Sequence, residues 1–299
     1  MTLNPGTAQI DGRTHATGVA LVTISVLFFS FAGIFTRGVE AGAWEIIFWR
    51  GVAAAGFTIA YVALRGQLRA EIRGFGRWEM LVTLLHASGT AAFIPALKLS
   101  SVANVALIYA ASPFLAAGLA WWIIAEAPSR RTVMASGVAF TGVFVTVSGS
   151  FGTGGLAGDL LALWMTLMLA AVMVLYRKRP QTRVMLPSAL SSVVLLPLCL
   201  IFGDVSATQT SELPLLILFG ASFAVAAATL SEGARRLPAA ETALLSILET
   251  PLAPFLAWVI LFEPPTLQAV IGGALIMGAA IWSQLSGPWW SRRRGRERL

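Results

Sequence analysis

The chain has 299 residues, 57% hydrophobic and 12% charged, with a mean hydropathy of +0.78. Soluble domains carry roughly 25% charged residues, so a soluble globular protein is excluded. The net charge of +7 would suit a nucleic-acid surface, but the arginines lie between apolar stretches and at the C-terminus, where they read as topology signals and not as a phosphate-tracking face.

Apolar segments are predicted near 15–36, 43–64, 78–97, 101–124, 132–150, 156–176, 184–203, 213–234, 239–262 and 266–285. Each suits the roughly 20 helical residues that cross a hydrocarbon core of about 30 Å. None shows the strand-length alternation of a membrane barrel, so an all-α bundle of ten membrane helices is expected. Segment 1 follows only Arg13 and lacks a convincing small-residue cleavage site, which favours a retained helix over a removed signal peptide. Cys199, the single cysteine, sits in segment 7 and allows no intrachain disulfide. The Gly-rich stretch Ser150–Gly158 divides the chain into halves 1–150 and 151–299, and no other linker would hold a soluble domain.

Cytoplasmic loops carry an excess of Lys and Arg. With the N-terminus inside, all but three of the 21 basic residues fall in the inside loops and termini, the exceptions being Arg37, Arg50 and Lys98. Both termini are therefore expected to be cytoplasmic. Trp44, Trp49, Trp78, Trp121, Trp122, Trp258, Trp282, Trp289 and Trp290 lie towards segment ends, as interfacial anchoring requires. Trp164 lies near the middle of segment 6 and is a candidate for bundle packing or for a ligand platform.

The halves are repeats. Ser101–Ser129 reads against Pro238–Thr266, with identities that include Leu115/Leu252, Ala116/Ala253, Trp121/Trp258, Glu126/Glu263 and Pro128/Pro265. Five segments per half is an odd number of crossings, so the second half is expected upside down relative to the first, the arrangement of secondary transporters.

Paired Pro-interrupted helices in two halves point to a transporter's binding site. Segment 4 contains Ser112-Pro113, and segment 9 contains Glu249-Thr250-Pro251 with Pro254 a turn later. A mid-helix proline removes a backbone hydrogen bond and clashes with the preceding turn, so Pro113, Pro251 and Pro254 are candidate hinges. The alternative is that neighbouring helices simply tolerate them. Glu249 lies near the middle of segment 9, where a charge costs about 2.5–3.5 kcal/mol on insertion scales. It should face the bundle interior, be neutral or have a partner, and Thr242, Ser246 and Glu249 share one helical face. His86 shares a face with Thr83 and Thr90 in segment 3. In segment 4, Ser101, Asn104 and Ser112 lie on or close to one stripe, with Tyr109 near it. Glu249 and His86 are candidates for substrate contact or proton coupling; each also admits a structural role. Arg50 is shallower in segment 2, with Glu45 five residues earlier, and is expected to snorkel or pair near the outer face. Asp159, Glu126 and Glu263 are expected at interfaces or helix ends. Segments 5 and 10 carry small-residue faces (Gly137 and Gly142; Gly272, Gly273, Ala274 and Gly278) suited to close packing or dimerisation.

Enzyme signatures are absent from the sequence: no HExxH, no glycine-rich phosphate loop, no GxSxG and no cysteine or histidine cluster. With only His15 and His86, a histidine-based metal site is not expected, nor is any cofactor.

Ala110–Pro128 (AASPFLAAGLAWWIIAEAP), Leu248–Pro265 (LETPLAPFLAWVILFEPP), Trp49-Arg50 and the paired Glu126/Glu263 carry a family resemblance. On them the chain resembles the drug/metabolite transporter superfamily, specifically its ten-helix EamA-type exporters, over essentially its whole length. Within that group it looks most like the amino-acid exporters of the YddG type in bacterial inner membranes. The resemblance implies a central cavity lined by segments 1–4 and 6–9, with segments 5 and 10 peripheral. Aromatic-preferring members would carry tryptophan in the middle of segment 1 and before the segment 4 proline. Here stand Phe28, Phe29, Phe31 and Ser112, so a broader neutral range is expected. The sugar-phosphate branches need cationic partners, and deep Lys or Arg is nearly absent.

The resulting expectation is an alternating-access exporter of aromatic and other neutral amino acids and related small metabolites, multi-pass in the inner membrane. Substrate would meet His86, Asn104, Tyr109, Ser112, Trp164, Ser246 and Glu249, with Phe29 in the wall supplied by segment 1. Expected partners are the small-molecule substrate, membrane lipid and protons as candidate coupling ions, without nucleic acid, in a monomer or weak homodimer. A multidrug or quaternary-cation exporter using Glu249 as counter-charge is the alternative; a non-transporting scaffold or membrane enzyme is a third.

Overall fold

The structure is a computed structural model that describes residues 12–152, 154–237 and 239–285. Pro238, Trp289, Trp290 and the C-terminal arginines lie outside the described residues. Every regular element among the described residues is helical, and eight runs are long and apolar enough to cross a membrane.

The first run is α1 (Gly12–Ser30) followed by α2 (Ala32–Arg37), broken at Phe31. No proline causes this break. The Ser30 hydroxyl donates to the Val26 carbonyl at 2.8 Å, a side-chain bond that bends helices. Gly33 lets α2 touch Val102, whose Cγ1 would lie 2.5 Å from a Cβ at that position. α3 (Ala43–Leu64) matches its predicted bounds. The short α4 (Leu68–Arg73) occupies what was expected to be a loop. Its Glu71 is buried because it accepts from the Leu186 N–H at 3.3 Å and faces Arg183 at 3.8 Å.

α5 (Arg77–Leu99) leads to α6 (Val102–Tyr109) and α7 (Ser112–Ile124), two pieces of one predicted segment. Then follow α8 (Arg130–Ser148), α9 (Leu156–Lys178), α10 (Met185–Phe202) and α11 (Leu213–Ala234). The ninth predicted segment is again in two pieces, α12 (Ala239–Ser246) and α13 (Glu249–Leu261), and α14 (Leu267–Leu285) closes the described chain. Ser101 and Ser129 start α6 and α8 by accepting from the N–H groups of Asn104 (3.0 Å) and Thr132 (3.1 Å). These are the side-chain caps that helix N-termini favour.

The bundle is knitted across the two halves: α5 packs on α9 and α10, α11 on α1 and α3, and α3 on α10. α8 and α14 pack on each other through their small-residue faces, one of the two uses expected of such faces. A Cβ on Gly142 would lie 2.6 Å from the Gly272 carbonyl oxygen, so the two backbones touch where those glycines meet. Overpacking a filled contact typically costs about 1–3 kcal/mol. Gly272→Val is therefore expected to lower the thermal unfolding midpoint in detergent, and an unchanged midpoint would contradict this packing.

Candidate functional site

The two broken helices are built alike. α6 and α12 have 8 residues each, and α7 and α13 have 13 each. Pro113 has no N–H to offer the Tyr109 carbonyl four residues back, and the chain answers with a tighter turn in which the Ala111 N–H bonds to Ile108 at 3.1 Å. In the second copy the Leu248 N–H bonds to Leu245 and the Thr250 N–H to Ile247, both at 3.1 Å. Each is the i→i+3 pattern of a 3₁₀ turn. The breaks thus fall just before Pro113 and Pro251, whereas Pro254, the third candidate hinge, lies inside the continuous α13.

The far ends match too. Ala125 (φ 54) and Phe262 (φ 56) close α7 and α13 in the left-handed region, the only non-glycine residues there among those described. That conformation costs an L-residue roughly 1–2 kcal/mol. The same strained cap in both copies places Glu126 and Glu263 next, each donating its N–H back into the helix at 3.3 Å. Glu126 pairs with Arg177. Glu263 faces Arg37 at 3.9 Å and accepts from the Val102 N–H at 3.1 Å.

Between the breaks lies a cavity of about 260 Å³, lined by Tyr109, Ser112 and Pro113 from the first break and Ser246, Glu249 and Thr250 from the second. Ligand pockets for drug-sized molecules span roughly 300–1,000 Å³, so this one suits a small metabolite. Tyr109, Ser112, Ser246 and Glu249 line this one cavity, whereas Ser101 and Asn104, grouped with Ser112 on one stripe, line a different one. Glu249 is the first residue of α13, at the helix end whose dipole favours an anion. No hydrogen bond or ion pair joins its carboxyl to another described residue. The cavity wall also includes Met277, Ala280 and Ser283 of α14, which corrects the expectation that this segment is purely peripheral. These residues recur every three positions, so they share a face; that spacing was the available signal, masked by the glycine face beside it.

The other predicted contacts lie elsewhere. Asn104 sits at one end of the bundle, beside a second cavity of about 290 Å³ lined by Arg37, Ser100, Ser150 and Glu263. Its amide donates to Ser150 at 2.9 Å and to the Asp159 carboxylate at 3.2 Å, and Ser100 also donates to Asp159. Asp159 is at a helix end as expected, yet fully buried. Glu241, the counterpart of Asn104 in the repeat, meets His15 at 2.7 Å. His86 is half-buried in α5, away from the Glu249 cavity. Trp164 is half-exposed, and its indole N–H donates to Ser88 at 3.0 Å across the α5–α9 contact. Phe29 meets Phe223 edge-on at 5.6 Å.

Arg50 corrects a prediction. It neither snorkels nor pairs with Glu45, but is 2% exposed. Its guanidinium carbon lies 5.0 Å from the Phe219 ring centre and 4.9 Å from that of Phe223. Gly220 allows this, since a Cβ there would lie 2.5 Å from the Arg50 carbonyl oxygen; α11 therefore closes over α3 at that level. Glu45 is engaged instead by the Asp204 N–H at 2.7 Å.

No curated protein sequence matches the chain. Among the solved structures similar to this chain is a crystal structure of a protein that matches over 90% of this chain and 97% of its own, at 20% identity and a TM-score of 0.65, a likeness of fold. The model of the EamA-like transporter family matches twice, over residues 16–148 and 156–284. The two matches divide the chain at its glycine-rich stretch and each takes in one proline-broken helix, so the chain belongs to the EamA-like transporter family, within the drug/metabolite transporter superfamily, and is a multi-pass membrane transporter of small molecules.

Proposed function

We propose that the protein is an alternating-access exporter of aromatic and other neutral amino acids and related small metabolites across a bacterial inner membrane. The observation that carries this reading is the meeting of two equivalent helix breaks at one cavity, where Glu249 faces Tyr109, Ser112 and Ser246. A single carboxyl among hydroxyls suits a substrate amine, and Met173, Met277 and Phe114 supply adaptable apolar contact for a neutral side chain. Protons are the candidate coupling ion, with Glu249 and His86 as the groups that would carry them.

The same reading takes the chain as ten membrane crossings in two inverted five-helix repeats, 1–150 and 151–299, with both termini cytoplasmic. Its support is that α12 and α13 have the lengths of α6 and α7, which together make one membrane-long run, Val102–Ile124. Alternating access is supported by the two arginine–glutamate pairs. Counted from the starts of the family matches at 16 and 156, Arg37 and Arg177 hold the same position, and each pairs with the glutamate of the opposite half.

The test is uptake of labelled phenylalanine, methionine, threonine and lysine into liposomes containing the purified protein, at two imposed pH gradients, with empty liposomes as control. Protein-dependent, pH-responsive uptake is expected. Uptake of none of them by folded protein, with uptake of a cationic dye, would replace this reading by a quaternary-cation exporter that uses Glu249 as counter-charge.

A further inference from the structure

The two arginine–glutamate pairs are not equally closed. Arg177 and Glu126 are in hydrogen-bond contact, whereas Arg37 Nε stands 3.9 Å from Glu263 Oε2, beyond hydrogen-bond reach. The cavity of about 290 Å³ lies at this looser pair, with both residues in its wall. Each is anchored through its other polar atoms. Arg37 Nη2 donates to the Ser100 carbonyl at 2.6 Å, and Glu263 Oε1 accepts from the Val102 N–H at 3.1 Å. Nε and Oε2 thus face each other across a gap that no direct bond closes.

A third group in the same wall is incompletely used. Asn104 is 5% exposed, and its Nδ2 donates to Ser150 and to the Asp159 carboxylate. Those acceptors fix which end of the amide is nitrogen, and Oδ1 at the other end has no partner. A buried acceptor left over in this way calls for a donor.

A lone anion here would be repelled by Glu263, and a lone cation by Arg37. A molecule that carries both charges is opposed by neither. The ammonium and carboxylate of an α-amino acid sit on one carbon, so its dipole lies antiparallel beside an ion pair that is itself 3.9 Å long. The cavity is also close in volume to the one at Glu249, and α6 joins them: Asn104 lines one and Tyr109 the other. Those residues stand about 7.5 Å apart along the helix, and between them Leu107 and Ile108 belong to the packed apolar core.

We propose that this cavity is a second subsite of the transport route, holding the amino acid by Arg37 on its carboxylate and by Glu263 and Asn104 Oδ1 on its ammonium; this rests on the amino-acid reading above. Substrate occupies the two cavities in turn. At the second its charges compete with the attraction between Arg37 and Glu263, so the pair that holds that end of the bundle loosens when substrate arrives.

The experiment places a cysteine at Leu99, an exposed residue of the same wall, with Cys199 replaced by serine, and follows its modification by a thiol reagent in detergent. Phenylalanine, methionine or threonine, whichever the wild type takes up, is expected to slow the modification. Its carboxamide, which lacks the carboxylate charge, and its deaminated acid, which lacks the ammonium, should each need about fivefold higher concentration or more. Arg37→Gln should abolish only the advantage over the carboxamide, and Arg37→Lys should keep part of it. Glu263→Gln should abolish only the advantage over the deaminated acid. Each ratio is read within one variant, so a change in resting access cancels. Glu249→Gln should leave the protecting concentration where it is. Absence of protection by a transported amino acid, protection that vanishes in Glu249→Gln, equal protection by all three compounds, or charge preferences that survive both substitutions would each overturn the subsite while leaving amino-acid export standing. Absence of any wild-type amino-acid uptake would remove the export reading itself, and the subsite with it.

Discussion

Glu249→Gln is expected to reduce transport by about 10- to 100-fold while the protein remains folded and in the membrane. The magnitude is that of losing a charged hydrogen bond to substrate, about 1.5–3 kcal/mol. Three features separate this carboxyl from a structural one. It lies in a cavity wall, it has no partner among the described residues, and it does not cap the backbone of its own half-helix. A structural carboxyl would leave donors orphaned when replaced, whereas glutamine here only removes a charge from a site that also contains Tyr109, Ser112 and Ser246. His86→Ala should cost less, because His86 lies in α5 away from that cavity. The check is initial uptake rate per folded protein, with folding followed by thermal unfolding in detergent. Wild-type rates in Glu249→Gln would sink the site assignment.

Opposite shifts in sidedness are expected from Glu126→Gln and Glu263→Gln. If access alternates, the end of the bundle held by Arg177–Glu126 and the end held by Arg37–Glu263 cannot both be open. Breaking one pair favours the state open at that end. Partly exposed ion pairs are worth up to about 1 kcal/mol, so the population ratio should move by about fivefold and not by orders of magnitude. A cysteine in place of cavity-lining Ser246, with buried Cys199 replaced by serine, would report this. Its modification by a membrane-impermeant thiol reagent is measured from each side in turn. Rates that shift the same way in both variants would exclude the paired-latch arrangement. Joining Glu263→Arg with Arg37→Glu should restore the wild-type ratio, since the attraction survives reversal of the pair.

What the sequence by itself determined is what acts locally. Apolar length set the segments, down to the observed bounds of α3 and α11, because a helix in lipid must satisfy its own backbone. Pro113 and Pro251 marked the two breaks, because a missing N–H acts within one turn wherever the helix lies. Glycine faces marked α8 and α14 for close packing or dimerisation, because only small residues let backbones touch; that they pack on each other is seen only in the structure. The polar stripes put Ser246 and Glu249 on one face, but that they meet Tyr109 and Ser112, and that Asn104 does not join them, is set by packing between the halves. The tertiary structure alone decided which side of each long apolar helix turns inward. Segments that are apolar all round carry little facial signal, so Arg50 could be placed by depth and still be misread. Its burial depends on Phe219, Phe223 and Gly220 of α11, far away in the chain. The partners of Arg37 and Arg177, the enclosure of Asp159, and the entry of Met277 and Ser283 into the cavity wall arise in the same way. Each is a contact between halves, set by how the helices of one repeat pack into the other.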